Sequence, residues 1–130
     1  MPDYLVLDTD VASALQAQRL PADMRQHVVS KTLCITFVTV GEFFKGAYKA
    51  SWGQRRFERL EGWLRNVVVL PYDADAARAW GRLVAEMEKR GRAISANDGW
   101  IAACCLSRGL PLMTLNRRHF QEIPGLTLVP

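Results

Sequence analysis

The sequence predicts an α/β fold in which a mainly parallel sheet of about four or five strands is covered by helices on both faces, a three-layer sandwich. Short apolar runs alternate along the chain with longer amphipathic segments, as expected when helices connect parallel strands. Hydrophobic residues make up 49% of the 130 residues, enough for one sizeable core. No linker, repeat or low-complexity segment interrupts the chain, so we expect residues 1–130 to form a single domain.

The first half of the chain contains two predicted strands. The apolar run Tyr4 to Leu7 ends on acidic residues, and Leu33 to Val38 is apolar and rich in β-branched residues. Both patterns are typical of buried strands. Pro21 indicates the start of a helix. The predicted helices of this half cover residues 11–18, 21–30, 40–50 and 54–66.

The second half begins with a short predicted strand, Val67 to Leu70, which Pro71 closes. Residues 73–90 carry the clearest helical pattern, with one apolar stripe, acids in the first turn and bases in the last. Gly91 provides its C-cap. The remaining predicted elements are a helix over residues 96–108, a strand over 112–114, a helical turn over 116–121 and an edge strand over 126–129.

The charge of the chain favours a polyanionic partner. The net charge is +4 and comes mostly from arginine, whose planar fork suits bidentate contacts with phosphate. A solvated basic surface would explain the charge equally well. The three cysteines, Cys34, Cys104 and Cys105, have no C-x-x-C spacing, so we expect buried free thiols in a reducing compartment. With no signal peptide and no membrane span in the sequence, we expect a cytoplasmic protein.

Four acidic or amide residues stand where a predicted strand gives way to a helix: Asp8, Glu42, Asp98 and Asn116. Each has an ordinary explanation as a helix cap. Asp8 and Asn116 are good N-cap residues. Glu42 lies three residues after Thr39, a spacing typical of a capping box, and Asp98 lies three residues after Ser95 in a looser version.

Capping does not explain why these residues should converge. Strand-to-helix junctions of a parallel sheet gather at the carboxyl edge of the strands, where ligands bind. Carboxylates that meet there repel one another and raise at least one pKa unless a cation compensates. Mg²⁺ and Mn²⁺ prefer oxygen ligands, so a divalent cation would account for the cluster. The inference depends on the predicted topology.

At these residues the chain resembles the PIN domain family, and within it the VapC-type toxins of toxin–antitoxin pairs. The resemblance covers essentially the whole chain, and it rests on the order of several weak motifs. They are Leu5-Val-Leu-Asp8-Thr-Asp10, Thr36-Phe-Val-Thr-Val-Gly-Glu42, Ile94-Ser-Ala-Asn-Asp98-Gly-Trp-Ile-Ala-Ala103, Leu112-Met-Thr-Leu-Asn116-Arg-Arg-His-Phe120 and Ile123-Pro-Gly-Leu126.

The resemblance implies a PIN-like nuclease domain that cleaves single-stranded RNA with Mg²⁺ or Mn²⁺, forms homodimers and is inhibited by a cognate VapB-type antitoxin. It also implies that Asp8, Glu42 and Asp98 are the acidic metal ligands. The fourth acidic position of the family falls at Asn116, which can offer a carbonyl oxygen but no charge. Asp10 stands where Asn or Ser is more usual, so it either restores the missing charge or caps the first helix. Whether a second metal binds stays open.

The expected chemistry is metal-assisted hydrolysis, with one metal on Asp8 and Asp98 and with Glu42 as a ligand or as the general base for water. Candidate contacts to RNA phosphate are Lys45, Arg117 and Arg118, which solvation alone would also explain. Thr114, at the end of the fourth strand, either orients phosphate or water or simply reflects strand propensity, and the latter is favoured. His27 and His119 are expected to be surface or packing residues.

Two other functions are compatible with parts of the sequence. A haloacid-dehalogenase-like phosphatase would use Asp8 and Asp10 in an opening D-x-D pattern, but it also needs a downstream paired acid motif, and the chain offers only Asn97-Asp98. The second alternative is a catalytically silent PIN-like binding module. Retention of three acids disfavours it.

Overall fold

The computed structural model describes residues 3–130 as a four-stranded parallel sheet packed between two groups of helices. The strands are β1 (Tyr4–Leu7), β2 (Thr32–Thr36), β3 (Val68–Leu70) and β4 (Leu112–Met113). The helices are α1 (Thr9–Gln16), α2 (Ala22–Val28), α3 (Phe37–Lys49), α4 (Gln54–Leu64), α5 (Ala74–Lys89), α6 (Ala96–Arg108) and α7 (Arg117–Phe120). The predicted fold class is confirmed.

The central strand β1 is apolar on both faces because a hydrophobic core lies on each side of the sheet. Val6 packs into one core with residues of α5 and α6. Leu5 and Leu7 point to the other core, which α1 and α2 cover. Successive side chains of a strand alternate between faces, so an unbroken apolar run is what a strand buried on both sides requires.

The strand order β3-β2-β1-β4 determines where a site can form. The chain moves from β1 outward through β2 to β3, and then returns to place β4 on the opposite side of β1. The order therefore reverses between β1 and β4, which creates a crevice beyond their carboxyl ends. Asp8 and Thr114 directly follow these two strands.

Most element boundaries agree with the prediction, and β1 and α6 agree at both ends. The predicted strand Leu33 to Val38 is wrong at its end, because Phe37 and Val38 form the first turn of α3. The Phe37 ring packs edge-on against Tyr72 and Trp100, with centroids 5.9 Å and 6.2 Å away. This tertiary packing explains an aromatic, β-branched pair at a helix start.

The predicted edge strand over residues 126–129 is confirmed only in part, since the segment pairs with β4 by backbone hydrogen bonds without forming a regular strand. The structure contains one isolated bridge there, between Leu112 and Leu128. All three cysteines are free and buried, as expected, and burial raises the pKa of the Cys105 thiol. Within residues 3–130 no helix has the length and apolar character needed to cross a membrane.

Asp73 links the start of α5 to the end of α6. Its Oδ1 accepts a hydrogen bond from the Ala76 amide at 2.8 Å and caps α5. Its Oδ2 accepts one from Arg108 Nη2 at 2.9 Å, and the same guanidinium donates to the Pro71 carbonyl at 3.2 Å. One carboxylate therefore serves both as a cap and in a half-exposed ion pair.

Replacing Asp73 separates the contribution of the helix cap to stability from that of the ion pair. Asp73→Ala removes both and is expected to lower the free energy of unfolding in urea by about 1–2 kcal/mol. Asp73→Asn keeps a capping oxygen and loses only the partly screened ion pair, so about 0.5 kcal/mol is expected. Asp75→Ala, at an exposed position of the same helix, is the control. Equal losses for both Asp73 variants would mean that the cap contributes nothing.

Candidate active site

One pocket of about 210 Å³ collects all four predicted junction residues at the carboxyl edge of the sheet. Its lining is Asp8, Thr9, Asp10, Glu42, Ser95, Asn97, Asp98, Ile101, Asn116 and His119. We call it the acid pocket. The side chains come from α1, α3, the start of α6 and the segment after β4, so the fold brings together residues far apart in sequence.

Asp8 is both a helix cap and the most buried acid of the pocket. Its Oδ1 accepts a hydrogen bond from the Val11 amide at 2.9 Å, and its Oδ2 accepts one from Thr114 Oγ1 at 2.5 Å. Only 5% of the residue is exposed. Burial raises the pKa of Asp8, the hydrogen bonds from Thr114 and Val11 lower it, and the charges of Asp10 and Asp98 raise it further.

Thr114 does more than strand propensity explains. Besides donating to Asp8, its hydroxyl oxygen accepts a hydrogen bond from the Asn116 amide at 2.9 Å. The same side chain therefore orients the Asp8 carboxylate and shapes the turn that carries Asn116 into the pocket. The sequence signal was available, since a threonine two residues before an asparagine after a strand favours such a turn.

Glu42 is held by α1. The predicted capping box is wrong, because α3 begins at Phe37 and Thr39 lies inside the helix. Thr39 Oγ1 instead lies 2.9 Å from Thr9 Oγ1, and Thr9 Oγ1 donates to Glu42 Oε1 at 2.7 Å. Glu42 has no capping role that would compete with function, and its carboxylate faces the other acids.

Asp98 lies in the first turn of α6, where Ser95 is the N-cap and accepts a hydrogen bond from the Asp98 amide at 3.1 Å. The Asp98 carboxylate is not part of that cap. Its Oδ2 lies 3.0 Å from His119 Nδ1. The expectation that His119 is a surface or packing residue missed this contact, which depends on how α7 packs beside α6.

Asn116 and Asp10 meet across the pocket. Asn116 Nδ2 donates to Asp10 Oδ2 at 3.0 Å, and the Asn116 side chain makes no capping hydrogen bond to α7. Asp10 sits in the first turn of α1, where a negative charge also favours the helix dipole. The Asp10 carboxylate thus lies in direct contact with the side-chain amide of Asn116, the residue at the fourth acidic position of the family.

The chemistry of the acid pocket fits a hard divalent cation, because its donors are carboxylate, amide and hydroxyl oxygens. The raised pKa of Asp8 shows that this environment disfavours an additional negative charge. Within the described residues, no group of three or more His, Cys, Asp or Glu side chains is arranged to hold a metal ion. The carboxylates of Asp8 and Glu42 instead accept hydrogen bonds from Thr114 and Thr9, and that of Asp98 contacts His119, so metal ligation requires these side chains to rearrange.

The predicted phosphate contacts differ in their position. Arg117 and Arg118 line an open depression next to Asn116 and His119. Arg117 also donates a hydrogen bond to the Pro130 carbonyl oxygen. Lys45 is exposed on α3 and does not line the acid pocket. His27, in α2, lies outside the pocket as expected.

Comparisons with known proteins agree with this geometry. The sequence model of the PIN domain matches residues 5–126. A protein of Shigella flexneri named tRNA(fMet)-specific endonuclease VapC is 34% identical over 123 residues, which cover 93% of this chain and 92% of that protein. Ribonuclease VapC5 of Mycobacterium tuberculosis is 35% identical over 111 residues, covering 84% and 80% respectively.

Solved structures show the same architecture. The DNA-bound VapBC structure from Salmonella typhimurium superposes with a TM-score of 0.86 at 31% identity, over 99% of this chain and 98% of that chain. VapBC-1 from nontypeable Haemophilus influenzae gives a TM-score of 0.86 at 28% identity, over 97% and 96%. These matches give no support to the phosphatase alternative. The chain belongs to the PIN domain family and, within that family, to the VapC group.

Proposed function

We propose that this protein is a Mg²⁺- or Mn²⁺-dependent endoribonuclease and the toxin of a toxin–antitoxin pair. The observation that carries the proposal is the acid pocket, in which Asp8, Glu42 and Asp98 converge from three separate elements. Relatives of similar length are named as ribonucleases of the VapC group. A catalytically silent binding module would have no need to keep a buried carboxylate among other acids.

Asp8 and Asp98 would hold the metal, with Glu42 as a further ligand or as the base. When bound, the cation supplies polarisation of the scissile phosphate and a lowered pKa for water. Positive charge between the carboxylates would also offset the burial and repulsion that raise the pKa of Asp8. Oxygen ligands of this kind suit Mg²⁺ or Mn²⁺ better than zinc.

Glu42 is placed to act as the general base. Thr9 occupies its Oε1 and fixes the carboxylate, while Oε2 makes no hydrogen bond to any described residue. A carboxylate oxygen that is oriented but free can accept a proton from the attacking water.

His119 acts as a positioning residue for Asp98. Its Nδ1 lies 3.0 Å from Asp98 Oδ2, and this contact orients the carboxylate so that Oδ1 is left for a cation. The His119 side chain is 56% exposed, so the opposite edge of the ring is open to substrate.

The surface around the acid pocket indicates the substrate, and the similar solved structures indicate the partner. Arg117 and Arg118, beside Asn116, contact RNA phosphates, and Lys45 extends the basic surface along α3. The proposed protein partner is a VapB-type antitoxin, since the solved structures that the chain resembles are of VapBC proteins. The working form is a cytoplasmic homodimer.

The first prediction concerns the metal and its ligands. Asp8→Asn and Asp98→Asn are each expected to reduce kcat for RNA cleavage by more than about 100-fold, since each removes a charge that holds the cation. EDTA should abolish cleavage, and excess Mg²⁺ or Mn²⁺ should restore it. Asp75→Asn, an exposed carboxylate of α5, is the matched control. Cleavage that survives EDTA, or both substitutions, would refute the metal mechanism.

A second prediction asks whether Asp10 supplies the charge that Asn116 lacks. Asp10→Asn is expected to weaken Mn²⁺ binding about tenfold or more, because the pocket loses a carboxylate in contact with its neighbours. The double variant Asp10→Asn with Asn116→Asp returns the charge and should recover the affinity. Calorimetric titration with Mn²⁺ measures both. Unchanged affinity in Asp10→Asn would assign Asp10 to helix capping alone.

A third prediction tests His119 with three substitutions. Asn carries its amide nitrogen near the position of Nδ1, Gln carries it near Nε2, and Ala has no donor. His119→Ala and His119→Gln are expected to lower kcat and Mn²⁺ affinity by about 10- to 100-fold, while His119→Asn recovers most of both. If Gln rescued instead of Asn, the Nε2 edge would be the functional one and the positioning role would be wrong.

A further inference from the structure

A second pocket, of about 450 Å³, lies between α1 and α4. Its lining consists of Ser13, Gln16, Ala17, Arg19, Trp52, Arg56, Arg59, Leu60 and Trp63. We call it the Arg/Trp pocket. Three arginines and no acidic residue line it, so its charge is opposite to that of the acid pocket.

Neighbouring rings hold the two tryptophans in place. Trp52 packs edge-to-face on Phe57 with ring centroids 6.1 Å apart, and Trp63 packs in the same way on Phe43 at 5.9 Å. Both tryptophans are half-buried. Aromatic surfaces that are already fixed lose little conformational entropy when a flat ligand stacks on them.

The polar side chains of the Arg/Trp pocket carry hydrogen-bond donors that other described residues do not use. Arg56 lies over the Trp52 ring with its Cζ 4.2 Å from the centroid. Neither Arg56 nor Arg19 nor Arg59 forms an ion pair with any residue in the range 3–130. Gln16 Nε2 is buried without a hydrogen-bond partner in the same range. A ligand that fits must bring anionic or carbonyl oxygens.

We propose that the Arg/Trp pocket binds the single-stranded RNA that flanks the bond to be cut. A nucleobase stacks on a tryptophan ring, and the arginines donate to phosphate and base oxygens. Stacking on aromatic rings combined with arginine contacts is how proteins hold single strands without reading a duplex. The inference rests on the proposed ribonuclease function and adds a substrate subsite to it.

The position of the pocket along α1 supports the assignment. Thr9 and Asp10 of α1 line the acid pocket, whereas Ser13 and Gln16 of the same helix line the Arg/Trp pocket. At 1.5 Å of rise per residue, Asp10 and Ser13 are separated by about 4.5 Å along the axis. The two pockets therefore adjoin along one helix. The shared helix favours RNA over an acidic protein segment, because a strand whose scissile phosphate lies in the acid pocket must pass close to the Arg/Trp pocket.

The test measures binding of a labelled single-stranded oligoribonucleotide by fluorescence anisotropy in EDTA, which prevents cleavage and leaves a pocket without metal ligands intact. Trp52→Leu is expected to weaken binding by roughly 5- to 100-fold through lost stacking, and Trp52→Phe should recover most of it. The double variant Arg56→Gln with Arg59→Gln should reduce the slope of log affinity against log salt by about 1.4.

The controls are Tyr72→Leu and Arg82→Gln, an exposed aromatic and an exposed arginine outside both pockets. Urea unfolding verifies that each variant is folded. If the Trp52 and arginine variants bind RNA with unchanged affinity and salt slope, the proposal is overturned and the pocket belongs to a protein partner. Cleavage assays of the unmodified protein with Mg²⁺ run in parallel. If the unmodified protein cleaves RNA and the variants bind RNA with unchanged affinity, only the subsite is refuted. If the unmodified protein neither cleaves nor binds RNA, the ribonuclease function is refuted.

Discussion

The carboxylate of Asp8 ends the central strand of the sheet and is 5% exposed, and the rest of the site is organised around it. A charged group in such a position costs free energy unless hydrogen bonds and nearby charge compensate. The Val11 amide and the Thr114 hydroxyl provide two hydrogen bonds, one on each oxygen. They do not provide positive charge, and burial still raises the pKa of Asp8. The fold thus presents a buried acid that a cation would stabilise.

The other acids of the pocket follow the same principle. Glu42 is oriented by a neutral hydroxyl, Thr9, and Asp98 by an imidazole, His119. Neither lysine nor arginine lines the pocket, although the chain is basic. Hydroxyl donors and one imidazole contact fix the geometry of the carboxylates without a lysine or arginine in the pocket, which leaves the affinity of the carboxylates for a metal intact. The positive charge of the protein lies instead in the surroundings, where an RNA backbone would run.

Part of this site was predictable because local patterns and topology agreed. The apolar run before Asp8, the cap before Asp98 and the alternation of strands with helices were sufficient to place the acids at one edge of a parallel sheet. The capping box at Thr39 and Glu42 failed because packing of Phe37 against Tyr72 and Trp100 starts α3 earlier than local propensity suggests. His119 was missed because its contact with Asp98 joins two helices, and no local pattern encodes that distance.

Asn116 and Asp10 lie in contact at the position where the family resemblance implies an acid in many members and an asparagine in others. The Asn116 amide donates a hydrogen bond to Asp10, which stands in the first turn of α1. A carboxylate therefore lies about the length of one hydrogen bond from the fourth acidic position. The pocket keeps four carboxylates in all, Asp8, Asp10, Glu42 and Asp98. Because attraction for a cation depends on the sum of nearby charges as well as on the identity of each ligand, Asp10 would supply the charge that Asn116 lacks if it takes part in binding the cation, and the Asp10→Asn titration distinguishes this role from helix capping.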